Sequence, residues 1–152
     1  SDSVQNAKDH LRDIAGIRVI CYFIDDIYNL VNALKRQSEL IFIREKDYIQ
    51  NPKPNGYRSF HVIIAVPVYY LDTMEYFPVE IQLRTMTMDL WASMEHRVCY
   101  KKLPEHRDEL AEAFCQYADI LGKIEEQFEA YNETGMLEEI TPAQITENPT
   151  EG

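Results

Sequence analysis

The stretch Val79-Glu-Ile-Gln-Leu-Arg-Thr85 decides the fold, because its side chains alternate between apolar and polar. Alternate side chains of a β-strand point to opposite faces, so one face is apolar and the other carries Glu80, Gln82 and Arg84. The apolar face predicts packing on a core. The polar face is either the solvent side of an antiparallel sheet or the wall of a functional site, where Glu80 suits Mg²⁺ coordination or proton abstraction.

Four strands and three helices are predicted around this stretch. Apolar residues on both alternate faces predict a central strand over residues 17–24, and further strands are predicted over 40–48, 60–70 and 79–85. The first predicted helix begins at Asp25, and two further helices are predicted over about 86–100 and about 105–131. This order predicts an α+β fold, a mixed β-sheet flanked by helices with a C-terminal helical extension.

The predicted helix over residues 86–100 has two distinct faces. Helical spacing directs one face to the core, and its members are Leu90, Trp91, Met94 and Val98. On another face, Asp89, Ala92 and His96 recur at i, i+3 and i+7. A small alanine among polar groups permits the close approach of something flat, although an ordinary amphipathic helix shows the same pattern.

The C-terminal helix carries large apolar residues at alternating spacings of 4 and 3, which is a heptad pattern. Its members are Leu110, Phe114, Tyr117, Leu121, Ile124, Phe128 and Tyr131. A monomer could bury these residues on its own sheet. The length of the helix and its aromatic content instead favour a helix–helix interface between subunits. We therefore predict a body over residues 1–104, an oligomerisation helix over 105–135 and a flexible acidic tail over 136–152.

The formal net charge of −11 is unevenly distributed. Residues 1–104 carry 13 basic and 13 acidic side chains, whereas residues 105–152 carry 2 and 13. A neutral body argues against a nucleic-acid partner, which needs a basic face. No apolar run approaches the roughly 18 residues of a membrane helix, no signal peptide is visible, and the three cysteines lack metal-motif spacing. These features predict a cytoplasmic protein with reduced, buried thiols.

A second segment, Lys46-Asp-Tyr-Ile-Gln-Asn-Pro-Lys-Pro-Asn-Gly-Tyr-Arg-Ser-Phe-His61, is neither apolar nor periodic. Its prolines and glycine predict an irregular, rigid backbone. Its cations can hold phosphate through charge-assisted hydrogen bonds, and its tyrosines and histidine offer flat faces on which a base can stack. We call this segment the grip loop and predict that it binds a nucleotide.

Two charged residues near the start of the chain are candidates for the same site. Asp13 precedes the first predicted strand and is either a turn residue or a metal ligand at the mouth of the sheet. Arg18 shares a face with Ile20 and Tyr22 of a strand that is predicted to be buried. A guanidinium there needs a partner, which is either a structural salt bridge or a planar ligand on which it stacks.

Three blocks together resemble the synthetase domain of the RelA/SpoT family in its small, single-domain form. They are Asp13-Ile-Ala-Gly-Ile-Arg-Val19, the grip loop, and residues 79–85 running into Met88-Asp-Leu-Trp-Ala-Ser-Met-Glu-His96. The resemblance implies a nucleotidyltransferase-like fold and a GTP pyrophosphokinase of the stringent response. Such an enzyme moves the β,γ-diphosphate of ATP to the 3′-hydroxyl of GDP or GTP and makes ppGpp or pppGpp.

The resemblance also implies roles for individual residues. Asp13 and Glu80 would hold Mg²⁺, with Glu80 drawing the proton from the 3′-hydroxyl, and Arg18 would stack on adenine. Tyr57 would stack on guanine beside Asn55. The acceptor's phosphates or ribose would meet Lys46, Tyr48, Lys53 and His61, and the guanine side would be lined by Gln82, Asp89 and Ala92. A homotetramer is the assembly implied.

One departure from the family concerns the region upstream of Asp13, where the family carries further cations that embrace the ATP phosphates. Here only Lys8 and Arg12 precede it. We therefore expect the 152-residue chain to bind a guanine nucleotide better than it performs transfer. The alternative function is a non-catalytic guanine-nucleotide-binding module with a synthetase-like fold. Hydrolase activity is not expected, because the chain has no consecutive His-Asp pair.

Overall fold

The structure is a computed structural model that describes residues 5, 14–100 and 104–134. The strands are β1 (Ala15–Cys21), β2 (Ile41–Asp47), β3 (Phe60–Tyr70) and β4 (Thr73–Thr85). The helices are α1 (Ile24–Lys35), α2 (Met86–Cys99) and α3 (Arg107–Thr134), the last preceded by a 3₁₀ turn at Pro104–His106. The predicted order of elements is confirmed. The predicted acidic tail lies outside the described residues, and the predicted domain boundaries stay predictions.

The four strands form one mixed sheet in the order β1-β4-β3-β2. Strand β4 pairs with β1 in parallel and with β3 antiparallel, and β2 pairs antiparallel with β3. The predicted mixed sheet is therefore confirmed, with the alternating segment in a central position.

The main core lies between the sheet and α1. Ile27 and Val31 of α1 pack there with Val62 of β3 and Leu83 of β4, all four nearly inaccessible to solvent. A second, smaller cluster joins α2 to α3 through Trp91, Phe114 and Ala118. The apolar face of residues 79–85 thus packs as its alternation predicts.

The prediction that residues 17–24 form a central strand covered on each side is wrong. Strand β1 is the sheet edge, and Ile17, Ile20 and Tyr22 are 52%, 45% and 75% exposed. An apolar run indicates what a strand can bury, whereas the number of neighbours it has depends on how the other strands pair. Among the described strands, β1 pairs with β4 alone.

The β3–β4 hairpin is longer than predicted, because β4 begins at Thr73 and not at Val79. Pairing continues out to Tyr70 opposite Thr73, beyond the last described partners of both β1 and β2. The projecting end exposes Tyr69, Tyr70 and Leu71. Pro78 lies inside β4 opposite Ala65 of β3, one residue before Val79, where the pairing with β1 begins, so no described strand pairs with it on the β1 side.

Helix α2 is only partly oriented as predicted. Trp91 is buried and Val98 packs beside it, but Leu90 and Met94 are 48% and 49% exposed. Helix α3 packs on the Trp91 side of α2, and this choice of side leaves the Leu90 side accessible in the described part of the chain. Assigning both residues to the core was therefore wrong.

Helix α3 divides its apolar residues between two faces. Phe114 is buried against Trp91, and Leu121 packs on the same cluster. An exposed stripe lies beside this buried face and consists of Tyr117, Ile120, Ile124, Phe128 and Tyr131. Only part of the predicted heptad pattern is thus used within the chain, and self-association through the remainder stays a prediction.

Two smaller expectations concern membranes and cysteines. None of the helices in the described ranges combines the length and the apolarity that crossing a bilayer requires. Cys21, Cys99 and Cys115 are half-buried, so the prediction that they are buried is corrected.

Replacing Leu83 by alanine is expected to destabilise the protein by about 2–5 kcal/mol, because it leaves a cavity in the main core. Leu90→Ala is the matched control and should cost much less, since that side chain is half exposed. The free energy of unfolding, measured by urea titration, compares the two variants. Equal losses would contradict the orientation of α2.

Candidate active site

A row of polar side chains crosses the sheet opposite the main core. The strand registers place Arg18 of β1 beside Gln82 of β4, Gln82 beside His61 of β3, and His61 beside Lys46 of β2. Residues in register share a face of a pleated sheet, so these four residues form one line. All four are predicted site residues, and they come from four separate segments of the sequence. Glu80 lies one step along the same face of β4.

The grip loop is closed by backbone hydrogen bonds at its base and near its tip. The amide of Tyr48 donates to the carbonyl of Ser59 over 2.9 Å, and the amide of Lys53 donates to the carbonyl of Tyr57 over 3.0 Å. The Asn55 side chain accepts from the Tyr57 amide over 3.0 Å, which forms an Asx turn. The predicted rigid loop is therefore a compact connection between β2 and β3.

The tip of the grip loop rests on α3, and a glycine makes this possible. Gly56 has a φ of 98°, a region that other residues rarely adopt. A Cβ atom there would lie 3.0 Å from the Cβ of Ala118 and 3.3 Å from the Cα of Cys115. Gly56 is thus required both for its backbone conformation and for the close approach to α3.

A buried carboxylate ties the same loop to α2 and α3. Glu125 of α3 is 3% exposed and accepts a hydrogen bond from the Thr87 hydroxyl over 2.6 Å. The guanidinium of Arg58, in the grip loop, lies 3.8 Å from the same Glu125 oxygen. Helix α3 therefore supports the loop from behind as well as at its tip.

Aromatic rings and one cation cluster on the inner side of the loop. The rings of Tyr48, Tyr57 and His61 meet edge to face, with centroids 5.3–6.0 Å apart. The Lys53 ammonium lies 5.0 Å from the Tyr48 centroid and 5.1 Å from that of Tyr57. This arrangement combines a stacking surface with a positive charge, as the sequence predicted for a nucleotide.

Glu80 contacts two other predicted residues. Its Oε1 accepts a hydrogen bond from Gln82 Nε2 over 3.1 Å and lies 3.7 Å from His61 Nδ1. Burial lowers the pKa of His61 below its usual value of 6.5, Glu80 opposes that shift, and Arg84, Lys53 and Lys46 add to it. A neutral His61 imidazole is thus favoured near neutral pH.

Sequence reasoning placed Arg84 on the polar face but gave it no role. Its side chain is only 8% exposed, and it contacts Tyr57, Gln82 and Asp89. His96 lies on the face of α2 that also carries Asp89 and Ala92. It lines a cavity of the site, although it was not among the predicted site residues. The signals were available, because Arg84 belongs to the alternating strand and His96 to the i, i+3, i+7 set.

A cavity at this face has a volume of about 500 Å³. Four predicted residues lie on its wall, namely Arg18, Asn55, Tyr57 and Ala92. Glu80 lies on two adjoining cavities of about 230 and 170 Å³, one shared with Arg18 and Gln82 and the other with Lys46, Tyr48, Lys53 and His61. The structure thus brings together the predicted site residues that it describes.

Two predicted residues need separate comment. Asp13 lies outside the described residues, so its distance from Glu80 stays undescribed. Arg18 forms the salt bridge that the sequence left open as an alternative, at 3.5 Å from Asp89, and its side chain is 52% exposed. An exposed pair of this kind contributes little to stability, so Arg18 can exchange Asp89 for a ligand at small cost.

The fold and the site together define an α+β protein with cation-lined cavities on the polar face of its mixed sheet, beside the grip loop. We call these cavities the trough, and their basic residues include Arg18, Lys46, Lys53 and Arg84. The chain belongs to the RelA/SpoT family, because the model for the region found in RelA / SpoT proteins matches residues 2–105.

Individual relatives agree with this assignment. The chain is 46% identical over 125 residues to the GTP pyrophosphokinase YwaC of Bacillus subtilis (strain 168), covering 82% of this chain and 60% of that protein. Small alarmone synthetase 2 from Bacillus subtilis matches with a TM-score of 0.71 and 44% identity over 78% of this chain and 65% of that structure. Small alarmone synthetase 1 from that organism, solved with its product pppGpp, matches with a TM-score of 0.69 and 28% identity over 78% and 61%. The chain thus spans less than two thirds of each relative.

Gly56→Ala is expected to destabilise the fold by about 1–3 kcal/mol, because alanine is strained at that φ and its Cβ meets α3. Gly16→Ala is the matched control, since a Cβ there meets nothing within 4 Å. The free energy of unfolding compares the variants. Equal stability of Gly56→Ala and wild type would show that the loop tip does not rest on α3.

Proposed function

We propose that the protein is a GTP pyrophosphokinase that transfers the β,γ-diphosphate of ATP to the 3′-hydroxyl of GDP or GTP, making ppGpp or pppGpp and releasing AMP. The observation that carries the proposal is the row Arg18, Gln82, His61 and Lys46 with Glu80 beside it. Further support comes from relatives that are named GTP pyrophosphokinase or small alarmone synthetase. Membership of the stringent response follows from the same product.

The acceptor nucleotide is assigned to the grip-loop side. Tyr57 offers a ring for the guanine to stack on, and Asn55 and Ala92 lie on the wall of the same cavity. Lys46, Lys53 and His61 line the smaller cavity that contains Glu80, where cations can hold the acceptor's phosphates. Gln82 and Asp89 complete the guanine side. This division puts the acceptor's 3′-hydroxyl near Glu80.

The chemical step needs a base and a stabilised leaving group. Glu80 takes the proton of the 3′-hydroxyl, the oxygen attacks the β-phosphorus of ATP, and the bond to the α-phosphate oxygen breaks so that AMP leaves. Arg18 stacks on the adenine at the open edge of the sheet. The protein forms no covalent bond to the substrate in this step, so catalysis comes from positioning the two nucleotides and from electrostatic stabilisation of the transferred group.

A magnesium ion fits the donor set that this proposal requires. Glu80 is partly exposed to two cavities, and Mg²⁺ is commonly held by one or two carboxylates with substrate phosphates and water. Asp13 is the second carboxylate of the proposal. When bound, the ion would neutralise charge on the transferred phosphates.

Assembly and location are part of the same proposal. The exposed stripe of α3 supports self-association into a homotetramer, because an apolar stripe of this length rarely stays in contact with water. Substrates such as ATP and GTP, together with thiols expected to be reduced, favour a cytoplasmic protein.

The second candidate function is a non-catalytic module that binds guanine nucleotides. The rings and the ammonium group on the inner side of the grip loop would suit nucleotide binding without transfer. The retained Glu80 disfavours it, because a binding module has little use for a carboxylate beside the acceptor's hydroxyl. Incubating the full-length gene product with ATP, GDP and Mg²⁺, followed by thin-layer chromatography, separates the two functions.

Glu80→Gln is expected to lower synthesis by roughly 10²–10⁴-fold, since the amide can neither accept the proton nor balance a metal charge. Glu75→Gln is the control, because Glu75 is exposed on the projecting end of the same strand. Transfer of radiolabel from ATP to GDP measures both variants. Activity of Glu80→Gln equal to that of the control would remove Glu80 from the catalytic step.

Tyr57→Ala is expected to weaken binding of a guanine nucleotide by roughly 1–3 kcal/mol, the usual contribution of one stacked base. Titration calorimetry with GDP gives the dissociation constant. Tyr70→Ala removes an equally large ring from the exposed hairpin and should leave affinity unchanged. An unaltered affinity in Tyr57→Ala would exclude this ring from the guanine site.

A further inference from the structure

Arg84 is a buried cation with an unusual set of partners. Its Nη2 donates to the Tyr57 hydroxyl over 3.0 Å and to Gln82 Oε1 over 3.3 Å, and its Nη1 donates to Asp89 over 3.2 Å. The guanidinium carbon also lies 5.4 Å from the centroid of the Tyr57 ring. One side chain therefore contacts three of the residues that the proposed function assigns to the guanine side.

The guanidinium sets the direction of the hydrogen bonds around it, because arginine can donate but cannot accept. The Tyr57 oxygen accepts from Arg84, and its own hydrogen can be donated to His61 Nε2, 2.8 Å away, in the tautomer whose Nε2 carries no hydrogen. With Nε2 accepting, the imidazole hydrogen is on Nδ1, the atom that lies 3.7 Å from Glu80 Oε1. Arg84 thus donates to Tyr57 and Tyr57 donates to His61, so that the N–H group of His61 faces Glu80.

The path from Arg84 through Tyr57 and His61 is the first branch. A second branch runs from Arg84 through Gln82 to the same oxygen of Glu80, and it contains no ionisable group between Arg84 and Glu80. The Gln82 amide oxygen accepts from Arg84, so its NH₂ group must point the other way. That group donates to Glu80 Oε1 over 3.1 Å. The Gln82 hydrogen bond and the 3.7 Å contact of His61 both involve Oε1 of the carboxylate. Within the part of the chain that the structure describes, the second oxygen is available to a reacting hydroxyl or a metal.

We propose that Arg84 is a positioning residue that holds Glu80 in its reactive orientation in two ways. It orients Gln82, whose amide donates to Glu80, and it orients Tyr57, whose hydroxyl fixes the His61 ring beside Glu80. This role rests on the proposed function, in which Glu80 is the base. It links the surface on which the guanine stacks to the group that activates the acceptor's hydroxyl. A correctly stacked base therefore meets a carboxylate that is already aligned.

A purely structural role for Arg84 makes a different prediction. Its ion pair with Asp89 joins β4 to α2, and losing that pair alone would lower stability without a specific effect on turnover. A direct contact with the guanine makes a third prediction, namely a higher KM with an unchanged kcat. Separating kcat from KM distinguishes these roles from positioning.

The experiment uses the full-length gene product with ATP, GDP and Mg²⁺, and compares R84Q, R84K, Y57F and the double variant R84Q/Y57F. R36Q is the matched control, because Arg36 is exposed after α1. We expect R84Q to lower kcat about tenfold or more, with KM for GDP within about threefold of wild type. R84K should not rescue kcat, since one ammonium cannot reproduce the fork of a guanidinium.

Y57F tests the proposal without replacing the buried arginine, so its result does not depend on whether the Arg84 variants fold. It keeps the ring, so GDP affinity should hold within about twofold, but it breaks the first branch, so kcat should fall several-fold. Because Arg84 acts partly through the Tyr57 hydroxyl, R84Q should cost less in the Y57F background than in wild type. Thermal unfolding identifies variants that do not fold, and Y57F decides the matter if R84Q is among them.

Four results would overturn the role of Arg84 while leaving the proposed function intact. Three of them are a fully active Y57F, a rise in KM alone in R84Q, and losses in R84Q and Y57F that multiply independently. Full activity of R84K would also overturn it, since charge alone would then suffice. A wild-type protein that makes no alarmone would instead overturn the proposed function, and the role of Arg84 with it.

Discussion

The two-sided pairing of β4 is the constraint on which the rest of the structure depends. Because this strand lies between β1 and β3, its apolar face is sealed against α1 and its polar face is held at the centre of the sheet. Neighbouring strands then place Arg18 and His61 on either side of Gln82. Backbone hydrogen bonds on both sides give Glu80 a position that a loop could not hold so firmly, which is what its proposed role as a base beside the acceptor's hydroxyl would require.

Helix α3 contributes to the same site without presenting a catalytic group to it. Its small Ala118 accepts the tip of the grip loop at Gly56, and its buried Glu125 reaches Arg58 near the base of that loop. The neighbouring face of α3 carries the exposed aromatic stripe. The proposed subunit interface and the proposed nucleotide site would therefore share one helix, so that assembly can stabilise the loop that binds the acceptor.

Charge in the site is arranged by geometry and not by overall composition. The chain is acidic as a whole, but the trough contains Arg18, Lys46, Lys53 and Arg84. The buried guanidinium of Arg84 needs several acceptors to offset its lost hydration. Meeting that requirement orders the hydrogen bonds of its neighbours. The same contacts thereby stabilise the buried charge and would serve the positioning role proposed for Arg84.

The sequence by itself determined the order of elements, the two faces of β4, the grip loop and nearly all of the candidate residues, because alternation, turn residues and stacking chemistry are local properties. Only the tertiary structure decided that β1 is an edge, that Leu90 is exposed and that Arg84 joins Tyr57 to Glu80 through its neighbours. These outcomes depend on which strands pair and on which side of α2 the helix α3 packs. Such choices join residues far apart in the chain, and periodicity within one segment carries no information about them.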